Sequence, residues 1–269
     1  MKKAVIAIIA ILLVFIGLWL VVVPEALIIS HMEAALGRQG IKLRIMGFSK
    51  GLLYNFSVGQ IHVSTEKDFP IVIVSDLHAG IDFLSLLKFK PQLDFSGGVS
   101  GGRVYGVIDL RGQGTGGGRT INVNGDGINI NGIPALERFG VRGNGNLGFD
   151  LHLMDDTGEA RFSIREARFE GAFSGVDFLP LDLFQSVRGA LTIKKTITVK
   201  SLTLEGRGVY SRINGNINGN SVDMNIELMV DSSFELEPVL AEVLGSYRVS
   251  PGYYVIPFSH AALPSSGQP

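Results

Sequence analysis

Two short glycine motifs in this sequence match patterns that carry chemistry in other proteins. Residues 98–102 read Gly-Val-Ser-Gly-Gly, which has the letters of the G-x-S-x-G elbow that presents a nucleophilic serine between a strand and a helix. Residues 112–117 match G-x-G-x-x-G, a loop that binds phosphate when a helix begins after it. Strand-like residues follow both motifs, at 103–108 and at 119–123. The context therefore argues against a serine hydrolase at 98–102, and at 112–117 it predicts a glycine-rich hairpin loop instead of a phosphate site.

Metal binding has little support in the sequence. Residues 122–127 resemble the start of a calcium loop, but Ile133 occupies the position that needs a bidentate glutamate. We therefore expect a turn of Asn, Gly and Asp there. The chain has no cysteine, which excludes disulfides, zinc–thiolate sites and cysteine nucleophiles.

The histidines give equally little evidence for catalysis. None of the five has H-E-x-x-H spacing, and His62 and His152 stand between apolar residues of strand-like runs, so they point away from the apolar face. Asp76, His78 and Asp82 share one predicted strand face, which we interpret as a solvated polar surface. We therefore expect no enzyme activity and no catalytic, cofactor-binding or metal-ligating residues.

The composition narrows the class of protein further. Charged residues make up 18 % of the chain and the net charge is −1, which argues against overall disorder and against a nucleic-acid binder. Glycine is unusually frequent, with 35 residues in 269, which suits tight turns and bulges in β-structure.

The amino terminus predicts a membrane anchor. Residues 4–23 form an uncharged run of 20 residues, which as a helix spans about 30 Å, the thickness of the bilayer hydrocarbon. The alternative is a cleaved signal peptide, whose apolar stretch is usually shorter. Lys2 and Lys3 place the amino terminus in the cytoplasm and the remainder across the membrane, in the periplasm of a Gram-negative cell. The predicted anchor includes Ala4, Ile8, Leu12, Phe15, Trp19 and Val23.

The remainder predicts a mainly β protein: an elongated, curved antiparallel sheet with a few short helices. We expect an anchor over 1–23, a linking helix over 24–40, a β-rich periplasmic domain over 41–260 and a flexible tail over 261–269. Period-2 alternation predicts the strands, which we place at 41–45, 55–63, 71–74, 104–110, 147–154, 160–169, 191–204, 222–230 and 253–258. Asn214-Gly215 and residues 155–158 predict turns, and residues 234–245 predict an amphipathic helix.

Two patterns bear on architecture and on a possible binding surface. Residues 134–143 and 180–189 resemble each other, each with a proline, an apolar turn and Val-Arg-Gly before a strand, which suggests a repeated unit. The run 191–204, with a register break at Lys194-Lys195, carries one strongly apolar face. That face either forms a groove for acyl chains or packs on a second layer, and it comprises Leu191, Ile193, Ile197, Val199, Leu202 and Leu204.

The whole pattern resembles a known family. An anchor and short helix precede glycine-punctuated strands with Val-Arg-Gly-Ala-Leu-Thr-Ile at 187–193 and Leu-Thr-Leu-Glu-Gly-Arg-Gly at 202–208, and residues 234–258 close the domain. The chain is similar to type II secretion system protein N, of the GspN type, and to the wider AsmA/TamB-like periplasmic β-proteins. The resemblance implies a non-enzymatic inner-membrane component of the secretion apparatus, whose partners are the membrane and other secretion proteins. The alternative is a lipid-binding or lipid-transfer module whose ligand is phospholipid.

Overall fold

The protein is described by a computed structural model, in which the described residues form two compact units. The first unit comprises the described residues up to Arg119 with Ile133–Ala135, and the second comprises Thr120–Gly132 and the described residues from Leu136 onward. The sequence predicted one β-rich domain over 41–260, a range that both units share. The described residues are 24–37, 40–52, 54–82, 85, 88, 90–109, 119–138, 141–170, 172–173, 176–218, 221–234, 236 and 238–261.

Helices are few and short. Helix α1 is Glu25–Gly37, shorter at both ends than the predicted 24–40. Helix α2 is Pro134–Arg138. Helix α3 is Pro238–Gly245. It begins at its proline, because a proline at the first helical position loses no hydrogen bond. The predicted start of this helix at residue 234 is therefore wrong. Among the described residues, no helix is both long and apolar enough to span a membrane.

The first unit contains five antiparallel strands that pair in sequence order. They are β1 Ile41–Lys50, β2 Asn55–Thr65, β3 Pro70–Ile81, β4 Gln92–Val99 and β5 Gly102–Asp109.

The second unit carries nine strands in one antiparallel sheet and a separate two-stranded ribbon, β9–β10. The sheet order is β6-β7-β8-β11-β12-β13-β14-β16-β15, so neighbours in space are mostly neighbours in sequence. The prediction of a mainly β protein is thus confirmed. The strands are β6 Thr120–Asn129, β7 Arg142–Met154, β8 Thr157–Glu170, β9 Ala172–Phe173, β10 Val176–Pro180, β11 Phe184–Ile193, β12 Ile197–Gly206, β13 Val209–Asn218, β14 Ser221–Val230, β15 Arg248–Ser250 and β16 Tyr253–Ala261.

The glycine-serine motif at 98–102 forms a two-residue hairpin. Val99 pairs with Gly102, and Ser100 and Gly101 between them have φ angles of 46° and 81°. Two successive positive φ values match the twist of the flanking strands in a type I′ turn. A strand follows the serine instead of a helix, so this segment lacks the geometry of a nucleophile elbow.

Two turn predictions are wrong. Asn214-Gly215 lies inside β13, where Gly215 pairs with Met224 at a φ of 152°; a Cβ there would lie 2.1 Å from the Asp223 carbonyl oxygen. Pairing of β13 with β12 on one side and β14 on the other holds Asn214-Gly215 in the strand despite its turn-forming residue types. Residues 122–127 likewise lie in β6, where an irregularity in register falls between Gly125 and Ile128 and Gly127 has a φ of 67°.

The predicted strand 191–204 is a hairpin. Ile193 pairs with Ile197, so the three residues between them form the turn. Within this turn the Lys194 amide donates a hydrogen bond to the Thr196 carbonyl. The register break predicted at Lys194-Lys195 is therefore a chain reversal, because two adjacent lysines are better solvated in a turn than in a strand.

The repeat motif begins differently in its two copies. Pro134 starts helix α2, whereas Pro180 ends strand β10 and is followed by the 3-10 turn Leu181–Leu183. A strand follows each apolar turn, β7 after the first and β11 after the second. The copies therefore share a helical turn before a strand, and they differ in how the chain enters it.

Glycine makes room for aromatic rings on the sheet of the second unit. Gly125 pairs with Phe149 and Gly189 pairs with Phe162, and a Cβ at either glycine would lie 2.2 Å from the ring opposite. Each ring therefore lies across its neighbour's backbone. This packing gives a physical reason for part of the high glycine content.

Candidate functional site

The sheet of the second unit has one apolar face and one polar face. Residues directly opposite each other in paired strands lie on the same face. Across β8, β11, β12 and β13 one such row reads Ile164, Val187, Leu204 and Ser211. Strand pairing therefore places the apolar residues of separate strands next to one another in continuous rows.

The rows nearer helix α3, here called the proximal rows, form the hydrophobic core. Leu240 and Leu244 of α3 and Leu181 of the 3-10 turn are buried in the same cluster as the sheet residues. Ser211 is the polar exception, with a completely buried hydroxyl that has no hydrogen-bond partner among the described residues. The proximal rows comprise Ile128, Ile164, Val187, Leu204, Ser211, Ile226, Leu228, Tyr254 and Ile256.

The apolar face continues past the core toward the β7–β8 and β11–β12 turns. We call this part the distal band. Its residues are half-buried, except for buried Val199, and none belongs to the core cluster or to the partly buried residues packed against it. The distal band comprises Ile121, Val123, Leu151, Leu153, Leu191, Ile193, Ile197, Val199, Ile217, Val222 and Met224.

The six residues of the predicted apolar groove all lie on this face. Leu191 pairs with Val199 and Ile193 with Ile197, and these four belong to the distal band. Leu202 and Leu204 lie at the other end, where they contact or belong to the core. The structure therefore divides the predicted set between a packed layer and a face that the described helices leave uncovered.

The distal band is long enough to contact an extended chain-like molecule. It crosses seven strands from β6 to β14, and at about 4.8 Å per strand it extends roughly 29 Å. Within this stretch β8 places only Gly158 and Ala160 on the apolar face, beside the band residues of the neighbouring strands. The side chain of Leu153 lies over Gly158, and that of Met224 lies over Gly215.

The opposite face is polar and carries ion pairs. Lys200 Nζ donates to Glu159 Oε1 at 2.8 Å, and this hydrogen bond lowers the pKa of the Glu159 carboxyl. His152 Nδ1 lies 2.5 Å from Asn122 Oδ1, so His152 occupies the polar face that the sequence predicted for it. Both side chains of the ion pair are half exposed, so this bridge contributes little stability.

Of Asp76, His78 and Asp82, the structure places the last two in the lining of one open cavity of the first unit, without Asp76. Asp76 and His78 are exposed, and Asp76 adopts a φ of 47° where the pairing of β3 with β4 is irregular. Asp82 Oδ2 instead accepts hydrogen bonds from the Ser85 hydroxyl and amide. In the part of the chain that the structure describes, no three His, Asp or Glu side chains are grouped to hold a metal ion.

Three sequence predictions lie outside the described residues. The anchor residues Ala4, Ile8, Leu12, Phe15, Trp19 and Val23 all precede residue 24, and the G-x-G-x-x-G segment falls within 110–118. The predicted tail over 261–269 also lies outside them, except for Ala261, which ends strand β16.

Sequence analysis missed the contribution of β6, β7 and β14 to the apolar face. Ile121, Leu151 and Met224 join the distal band only through strand pairing. Their alternation was visible in the sequence, but it did not indicate which rows a helix covers.

Comparison of the chain with family models, curated proteins and solved structures finds no match.

We expect the two ends of the apolar face to differ in their effect on stability. Leu204→Ala should lower the free energy of unfolding by about 2–5 kcal/mol, because it leaves a cavity in the core. Leu191→Ala should cost about 1 kcal/mol or less, since its side chain is only half-buried. Urea unfolding of the full chain, followed by circular dichroism, measures both. Equal losses would show that the distal band is packed as tightly as the core.

Proposed function

We propose that this protein is a membrane-anchored lipid-binding module that holds acyl chains on the distal band. In this proposal the sheet of the second unit curves around the bound chain, and the predicted anchor at 4–23 keeps it at the inner membrane on the periplasmic side. The observation that carries the proposal is the continuous apolar band that the described helices leave uncovered.

The size and chemistry of the band support an acyl chain as ligand. Half of a bilayer hydrocarbon core is about 15 Å thick, so a band of roughly 29 Å accommodates one or two extended chains. The band carries no charged side chain, and the ion pairs of the sheet lie on the opposite face. Binding would remove the remaining exposed apolar surface of the band from water, which is the driving force for association with lipid.

Binding of a fluorescent sixteen-carbon fatty acid to the full chain, kept in solution by amphipol, tests this proposal. We expect saturable binding. Ile197→Gln should weaken it about tenfold, because an isoleucine contact with the ligand is replaced by an amide that must be desolvated.

Thr198→Gln is the matched control. It changes the adjacent residue of β12, which lies on the polar face and bonds to Asn216. Its affinity should equal that of the unchanged protein. Absence of saturable binding, or equal weakening by both substitutions, would contradict the proposal.

A second candidate function is a structural component of the type II secretion apparatus, with the polar faces contacting protein partners. The family resemblance motivates it, and exposed hydrophobic side chains on those faces favour it. Tyr105 in the first unit and Met154 and Met229 in the second are 48 %, 52 % and 43 % exposed. Tyrosine and methionine are enriched in protein interfaces.

Affinity purification of the full chain from membranes of a bacterium with type II secretion tests the second candidate. We expect secretion components to be recovered, and a Met154→Ser/Met229→Ser variant to recover less of them because it removes apolar contacts. The Thr198→Gln variant should recover the normal amount. Recovery of no secretion component would contradict this candidate.

A further inference from the structure

An open cavity of about 520 Å³ lies in the first unit between helix α1 and strands β1–β3. Glu33 and Gly37 line it from the helix, and Arg44 and His62 line it from the sheet. Glu33 and Gly37 are four residues apart and so share one side of α1. A Cβ at Gly37 would meet no atom within 4 Å, so the helix leaves open space there.

The cavity contains an arginine whose charge is not neutralised by a neighbour. Lys42 also lines the cavity, but its Nζ pairs with Asp68 at 2.9 Å. Among the described residues, Arg44 has no ion pair or side-chain hydrogen bond. It lies directly opposite His62, so their Cβ atoms are about 5 Å apart. His62 Nε2 lies 3.4 Å from Gln60 Oε1, so the donors that suit a phosphate group are those of the Arg44 guanidinium.

The opposite wall carries the complementary charge. Glu33 has no ion pair among the described residues, and it lines the same cavity as Arg44. A cavity with a guanidinium on one side and a carboxylate on the other fits a ligand with both a phosphate and an ammonium group. Ile73, which pairs with His62 and is 40 % exposed, adds an apolar contact at the rim.

The cavity lies beside the helix that follows the predicted anchor, with Glu33 about 12 Å along α1 from Glu25. Helix α1 begins at Glu25, directly after the predicted anchor at 4–23, and its 13 residues span about 20 Å. A lipid headgroup is therefore the nearest source of a molecule that carries both charges.

We propose that this cavity binds the phosphoethanolamine headgroup of a phospholipid, with the phosphate on Arg44 and the ammonium on Glu33. The proposal rests on the proposed lipid-binding function for the source of the ligand. The cavity belongs to the first unit and the distal band to the second, so each can be tested alone.

Glycerophosphoethanolamine, which has the headgroup but no acyl chain, is the probe, and calorimetry with the full chain in amphipol measures its binding. We expect Arg44→Gln to weaken binding about tenfold or more, because charge-assisted hydrogen bonds to the phosphate are lost. Arg103→Gln is the matched control: it removes the same charge from the exposed face of β5, outside the cavity, and should leave binding unchanged. Equal affinities for the unchanged protein and Arg44→Gln would overturn the proposal.

Two further measurements separate a headgroup site from a general anion site. Glu33→Gln should weaken glycerophosphoethanolamine about tenfold and leave the affinity for glycerol 3-phosphate unchanged, because only the first ligand carries an ammonium. Gly37→Leu should weaken both ligands by filling the cavity while every charge remains. Inorganic phosphate binding as tightly as glycerophosphoethanolamine would overturn the proposal. None of these substitutions should affect fatty-acid binding to the distal band. Fatty-acid binding therefore tests the distal band independently of the cavity.

Discussion

The apolar face of the second unit depends on keeping the alternation of many strands in phase. A slip of one residue would turn every following side chain to the opposite face. Strand β12 would lose its phase without the bulge at Lys200–Ser201, which lets Val199 and Leu202 lie on the same face although they are three residues apart. The irregularity near Gly127 serves the same purpose in β6. These bulges keep the apolar rows continuous.

A continuous apolar face needs a cover, and the described chain supplies one for only part of its length. Leu240 and Leu244 of α3, with Leu181, bury the proximal rows, and this layer contains the most deeply buried side chains. The distal band has no such layer among the described residues and remains half-buried. In our proposal, therefore, stability and ligand binding depend on different ends of the same strands.

Alternation in the sequence predicted most strand positions, because burial of one face imposes a period of two that is visible without knowledge of the partner strands. Local turn signals were less reliable. Asn214-Gly215 has ideal turn chemistry, yet pairing with β12 and β14 holds it within a strand. The opposite error occurred at 191–204, where the sequence predicted one strand and the structure has two strands joined by a turn at 194–196. Apolar residues on both sides of the turn made the segment resemble a single strand.

The candidate sites were predictable to different degrees. The sequence identified Leu191, Ile193, Ile197 and Val199 as one apolar face, because their alternation is local. It did not indicate that Leu202 and Leu204 are packed against the core, since α3 comes more than thirty residues later in the chain. The cavity beside Arg44 was not visible at all, because it requires the pairing of β1 with β2 and the position of α1.

The most direct test of an acyl-chain site is to cross-link a fatty acid that carries a photoactivatable diazirine to the full chain and to map the modified residues by mass spectrometry. The account predicts modification concentrated in the β7, β11, β12 and β13 segments at residues of the distal band, such as Leu151, Leu191 and Ile217. Modification confined to the polar face, or to residues 4–23, would contradict it.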